Sequence, residues 1–239
     1  MTFDERVNGG ITKEVLRGQS VYTRMYLPLY DLSVFWGTTP LFWRCSPRTL
    51  RDWYTRNVGA RHLEVGVGSG YFPSRCSFPV STPEITLLDL NQNCLDYTAT
   101  RLARHRPQRV RANVLEPFPL PAGAFDSVCM NFLLHCVPGD LREKGVAFRH
   151  AATVVRPGGV VFGSTVLSSG VPVSAPTRAM LKVLNWRGIF HNDRDDLQDL
   201  RDQLATHFAD HEVVVEGCVA MFRAWTAEDS GDAPGASPR

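Results

Sequence analysis

Residues 63–72 read LEVGVGSGYF. An apolar run carrying one acid, Glu64, leads into glycine at every second position: Gly66, Gly68 and Gly70. Missing Cβ atoms let a backbone turn sharply and let a ligand approach it closely. A strand, a glycine-rich turn and then a helix put that ligand at the carboxyl end of the strand. A dinucleotide needs GxGxxG, so that its pyrophosphate meets the helix amino terminus. Here the spacing is GxGxG and Tyr71 follows. The pyrophosphate fingerprint is incomplete, and the alternative is a nucleoside whose 5′ group is not a phosphate.

Partners for such a nucleoside lie downstream. Glu64, at the strand end, can bond a cationic amine. Asp89 ends the next apolar run, 19 residues after Gly70, where an acid can accept both ribose hydroxyls. Asn113, at the end of a third run, offers a donor and an acceptor to an adenine edge, or it stabilises its own loop. Amine, ribose and purine together describe S-adenosylmethionine.

Outward from this corner the chain alternates. Strands are expected at 61–65, 84–90, 109–115, 124–135 and 160–167. Helices are expected at 91–106, capped by Asn91, and at 141–155, stopped by RPGG at 156–159. Strands separated by helical patterns imply a parallel α/β sheet. Upstream, Ser46-Pro47 reads as the cap and first turn of a helix to about Asn57. Downstream, helices at 175–186 and 193–208 precede strands 211–217 and 218–225. So short a junction between those strands can only make an antiparallel hairpin. Residues 1–45 hold the aromatic face Tyr22, Tyr26, Tyr30 at helical spacing and read as a helical cap. Residues 46–226 read as the main domain and 227–239 as a disordered tail.

The bulk numbers narrow the function. The 239 residues carry a net charge of +2, which gives no electrostatic reason for a nucleic-acid or anionic-membrane partner. The six cysteines make no CxxC pair and no zinc-ligand spacing, so no metal is expected. With no apolar leader and no run of 18 apolar residues, a reduced cytoplasmic protein is expected.

The stretches HLEVGVGSGYF, ITLLDLNQN, VRANVLEPFPLPAGAFDSVCMNFLLHCVPG and VVRPGGVVFGS resemble, in order, the motifs of class I S-adenosylmethionine-dependent methyltransferases. The resemblance covers about residues 46–225. The upstream YDLSVFWGTTPLFWRC and the downstream GIFHNDRDDL are similar to a small-molecule branch, the YbcY-like group. This resemblance implies a Rossmann-like seven-stranded sheet in order 3-2-1-4-5-7-6, with strand 7 antiparallel and helices on both faces. It implies that Glu64, Gly66, Gly68 and Gly70 line the methionine part of the cofactor and that Asp89 holds the ribose. Leu90 would pack on adenine, Asn113 and Val114 would meet its edge, and Asn131 and Phe132 would close the site. The adenine position is often Asp in this superfamily; Asn113 stands there instead.

The implied reaction is in-line methyl transfer from S-adenosylmethionine to a small organic acceptor, leaving S-adenosylhomocysteine. An oxygen or nitrogen acceptor must also lose a proton, and His135 and His191 are the candidate bases. Tyr22, Tyr26 and both histidines are candidates for the acceptor pocket. NFLL at 131–134 stands where base-methylating enzymes carry an NPPY-type motif, which argues against a nucleic-acid acceptor. The aromatics of 22–43 favour an apolar natural product, and an exposed aromatic helix there would pair protomers. Two rivals are a nicotinamide-dependent oxidoreductase, disfavoured by GxGxG and the terminal hairpin, and a non-catalytic cofactor-binding module.

Overall fold

The structure, a computed structural model, describes residues 6–7, 11–12 and 32–228. Seven strands form one sheet: β1 (Arg61–Val65), β2 (Glu84–Asp89), β3 (Gln108–Arg111), β4 (Phe125–Asn131), β5 (Val155–Val166), β6 (Asp210–Glu216) and β7 (Val219–Trp225). Their spatial order is 3-2-1-4-5-7-6. The ladders of β1 with β2 and β4, of β2 with β3, and of β4 with β5 are parallel; β7 is antiparallel to both β5 and β6. This is the expected sheet. Two further short strands, Arg6–Val7 and Ile11–Thr12, pair antiparallel. The face formed by Tyr22, Tyr26 and Tyr30, protomer pairing through it, and the tail from residue 229 lie outside the described residues.

Central β1 shows why the order matters. A parallel strand covered on both faces buries every side chain, and His62, Leu63, Glu64 and Val65 are all buried. One apolar cluster on the sheet includes Phe148 of helix α4 (Val146–Val154), Leu200 and Leu204 of α6 (Leu197–His207), and Phe222. Another includes Leu50, Trp53 and Tyr54 of α1 (Pro47–Asn57) with Phe72 and Phe162. Helix α2 (Gln92–Arg101) follows β2 and is capped by Asn91, whose side chain accepts from the Asn93 amide.

Several boundaries differ from expectation for local reasons. β3 stops at Arg111, because the Asn113 side chain accepts from the Leu115 amide and turns the chain out of the sheet. RPGG does not merely end a helix. It lies inside β5 as an irregularity between the pairs Phe125–Val155 and Ser127–Val160, where proline's missing N–H leaves no ladder bond unmade. The helix expected over 141–155 is two pieces, α3 (Leu141–Lys144) and α4, parted at Gly145. A Cβ on Gly145 would lie 2.0 Å from Gln203 Oε1. Helix α6 starts at Leu197, capped by Asp196, rather than at residue 193.

Residues 192–195 are occupied elsewhere. Asn192 donates from Nδ2 to the Val166 carbonyl and exchanges hydrogen bonds with Asn185, on α5 (Ala175–Trp186). The Asp195 carbonyl accepts from the amides of Ser168 and Ser169. The Lys144 ammonium donates to the carbonyls of Val137 and His191 and lies 2.8 Å from the Asp195 carboxylate, both side chains fully buried. Burial pulls Lys144 down and pushes Asp195 up to about 6, while each charge opposes the other's shift. Lys144→Met strands the Asp195 carboxylate in the interior. The expected loss is about 3–5 kcal/mol, a fall in Tm on the order of 10 °C for a chain this size. Calorimetry checks it, and the double variant with Asp195→Asn should recover much of the loss.

The amino-terminal side is tied to the last hairpin. A π-helical segment, Leu32–Trp43, leads into α1. The Trp43 carbonyl accepts from the Cys218 amide, the Ser46 amide donates to Glu216 Oε1, and Thr177 Oγ1 donates to the Phe42 carbonyl. Gly217 makes this approach feasible: a Cβ there would lie 2.0 Å from the Trp43 carbonyl oxygen.

Candidate active site

The turn after β1 holds Gly66, Gly68 and Gly70 at φ +70°, +49° and +67°, the left-handed region that side chains disfavour. The three differ in what faces them. An added Cβ would lie 2.6 Å from Leu133 Cδ1 at Gly66 and 2.7 Å from Thr98 Cγ2 at Gly70. At Gly68 it would meet nothing within 4 Å. Helix α2 holds the turn in place: Thr98 Oγ1 donates to the Gly68 carbonyl and Arg101 to the Ser69 carbonyl.

Two cavities flank this turn. The larger, about 120 Å³, is lined by Gly66, Gly68, Asp89, Leu90, Asn113, Val114 and Phe132, among others. The smaller, about 40 Å³, is lined by Glu64, Gly66, Gly68, Tyr71, Phe72, Asn131 and Phe132, with Val67, Ser69 and Pro73. They share Gly66, Gly68 and Phe132, so one elongated molecule can lie across the open face of Gly68. Gly70, expected among the lining residues, lines neither cavity; its backbone shapes the turn and its α-carbon packs on Thr98.

At the larger end, Asp89 Oδ1 accepts from the Asn91 amide. Burial pushes the Asp89 carboxyl up to about 6, against amides of Asn91, Gly68, Val67 and Leu90 that pull it down. At the smaller end, Glu64 is buried, and its Oε2 lies 2.6 Å from Tyr54 Oη and 3.0 Å from His62 Nε2. Asn131 Oδ1 accepts from Ser164 Oγ, which fixes the amide and leaves its buried Nδ2 without an acceptor. Phe132 sits at φ +50°, its ring stacked with Phe72. Tyr54 and His62 escaped the sequence reading. His62 carried a usable signal: two positions before Glu64 on a strand, it shares that residue's face.

The histidines are placed differently from expectation. His135 is buried, and its Nδ1 accepts from the Val166 amide at 3.2 Å. A ring that accepts at Nδ1 carries its proton on Nε2. Burial, and then the Lys144 charge, bring its pKa down to about 3. Its ring packs 4.3 Å from that of Phe190, with Nδ1 already engaged by the Val166 amide. His191 meets His135 through the backbone, its amide donating to the His135 carbonyl at 2.7 Å. Neither histidine lines either cavity. Tyr22 and Tyr26, the other acceptor-pocket candidates, lie outside the described residues.

A family model described as a methyltransferase domain matches residues 63–163. Demethylluteothin O-methyltransferase of Streptomyces thioluteus is 56% identical over 218 residues, covering 91% of this chain and 95% of the relative. The chain is a class I S-adenosylmethionine-dependent methyltransferase. This methyltransferase is also 33% identical over 187 residues to YbcY of Escherichia coli K12, covering 77% of the chain and 95% of that protein. A solved phosphoethanolamine N-methyltransferase 2 of Haemonchus contortus, bound to phosphomonomethylethanolamine and S-adenosylhomocysteine, shares the fold at a TM-score of 0.67 and 13% identity. The likeness covers 91% of this chain and 61% of that one. The enzyme transfers a methyl group from S-adenosylmethionine to a small-molecule acceptor. Among its described residues no helix is long and apolar enough to cross a membrane.

Proposed function

We propose that this methyltransferase methylates a hydroxyl oxygen of a small, largely apolar natural product related to demethylluteothin. The carrying observation is its likeness, along nearly the whole of both chains, to an enzyme named for that reaction. The cleft fits the cofactor: Gly68 opens onto it, and the orphaned Asn131 Nδ2 offers a donor beside it. When bound, S-adenosylmethionine supplies a methyl group already activated on sulfonium sulfur. In this reading Asp89 accepts the ribose hydroxyls, Leu90 and Val114 pack on adenine and Asn113 meets its edge. Glu64 faces the amine, and Asn131 donates to an oxygen in the smaller cavity, as a buried amide must. Phe72 and Phe132 exclude water there. Holding nucleophile, methyl and sulfur in line contributes up to roughly 7–11 kcal/mol.

In this reading the acceptor is a hydroxyl acidic enough to ionise near neutral pH, which asks for no histidine base from the residues that line the two cavities. Mass spectrometry of the purified enzyme incubated with S-adenosylmethionine and demethylluteothin should show a product one methyl heavier, with the methyl on oxygen by NMR. Methylation on nitrogen or carbon, or methylation of simple aliphatic alcohols at the same rate, would overturn the reading.

Cofactor binding should depend on pH through Asp89. The ribose hydroxyls donate to a carboxylate, so binding favours the deprotonated form. Below about pH 6 the free enzyme carries a proton that binding must release. Affinity for S-adenosylhomocysteine should be flat above pH 7 and fall with a limiting slope of about tenfold per pH unit below 6. Titration calorimetry in matched buffers checks this, and Asp89→Asn should flatten the profile.

A further inference from the structure

Glu64 is nearly buried, yet among the described residues no lysine or arginine pairs with it. Its neighbours form a chain of hydrogen bonds with one consistent direction. The Gly59 amide donates to Ser127 Oγ at 2.7 Å. The serine proton is then left for His62 Nδ1, also 2.7 Å away. With Nδ1 accepting, the ring's proton lies on Nε2, which is 3.0 Å from Glu64 Oε2 and 2.9 Å from Tyr54 Oη. Tyr54 Oη donates to that same oxygen at 2.6 Å. Burial and the Glu64 charge hold the tyrosine hydroxyl well above its ordinary range, so it stays a donor. Two donors therefore grip one carboxylate oxygen from behind.

We propose that Tyr54 and His62 are positioning residues that fix Glu64 so that its other oxygen receives the cationic α-amine of the cofactor. This rests on the functional reading above and names how one end of the ligand is told apart from a plain nucleoside. The fixed carboxylate lines the smaller cavity with no lysine or arginine beside it among the described residues, and a buried carboxylate gains most from an opposite charge. Rigidity comes from the surroundings: Tyr54 stacks on Phe72 at 5.7 Å and meets Phe162 edge-on at 5.3 Å. Phe72 itself lines the smaller cavity, so the cluster and the ligand share a wall.

The test compares two ligands by titration calorimetry. S-Adenosylhomocysteine carries the amino-acid group; 5′-methylthioadenosine keeps the nucleoside and thioether and lacks it. Tyr54→Phe preserves the stacked ring and removes only the hydroxyl. It should weaken S-adenosylhomocysteine by about tenfold to a hundredfold, the worth of one hydrogen bond to a charged group. Binding of 5′-methylthioadenosine should stay within about twofold, which is within the scatter expected for groups with no shared partner. His62→Gln, which keeps a donor near Glu64, should show the same selectivity with a smaller loss. Equal weakening of both ligands, or no change in either, would overturn the positioning role while leaving the cofactor reading intact. A parent enzyme that binds neither nucleoside would overturn both.

Discussion

Gly68→Asn is expected to remove S-adenosylhomocysteine binding from the range of titration calorimetry, while the variant melts within a few degrees of the parent. The loss should reach at least about a thousandfold, or ~4 kcal/mol. Asparagine tolerates the left-handed backbone better than other side-chain-bearing residues, so the φ of +49° costs little. Its Cβ meets no protein atom within 4 Å. The added amide therefore has one place to go, the junction of the two cavities. The neighbouring glycines should behave in the opposite sense. Gly66→Asn and Gly70→Asn drive side-chain atoms into Leu133 and Thr98, so they should lower stability first and binding as a consequence. If Gly68→Asn bound the nucleoside normally, the ligand would not cross that face.

Asp89→Ala should weaken S-adenosylhomocysteine by roughly 10²- to 10⁴-fold, since two hydroxyls would lose charge-assisted bonds of about 1.5–3 kcal/mol each. Stability should change little at pH 7. The folded state already holds this carboxyl at about 6, above its usual range, so the fold disfavours its charge at neutral pH. Removing the group relieves that cost and forfeits the Asn91 hydrogen bond in exchange. The combination separates a binding residue from a structural one: a large change in affinity with a Tm shift of a few degrees at most. A fall in Tm with unchanged affinity would assign Asp89 to the cap of α2 instead.

The sheet order was legible because it depends on features a linear chain displays. Alternating strand and helix patterns report parallel pairing, and the two strands meeting at Gly217 can only fold back on each other. The cavity-lining positions Glu64, Asp89 and Asn113 were legible because spacing from the glycines fixes which residues stand at or just past strand ends. What spacing does not report is the atom across the gap. Gly66, Gly68 and Gly70 look equivalent in sequence, and only Leu133 and Thr98, far along the chain, make them different. The same blindness explains His135. Its place after β4 fits a catalytic base, but the amide that occupies its Nδ1 comes from Val166 on β5, and a ring packed on it from Phe190. The helix expected from residue 193 began late because Asn192 and Asp195 spend their polar atoms on distant partners.

The contact between Trp43 and the last hairpin has a temporal consequence. Trp43 O and Cys218 N are separated by 175 positions, and Ser46 and Glu216 by 170. During synthesis the Trp43 carbonyl and the Ser46 amide meet these partners only when nearly the whole chain has left the ribosome. The central strands can assemble earlier, because β1 to β5 do not need the hairpin to pair with one another. Trp43, made early, is thus fixed late, and a chain cut short before residue 218 would lack the hairpin amide that holds its carbonyl.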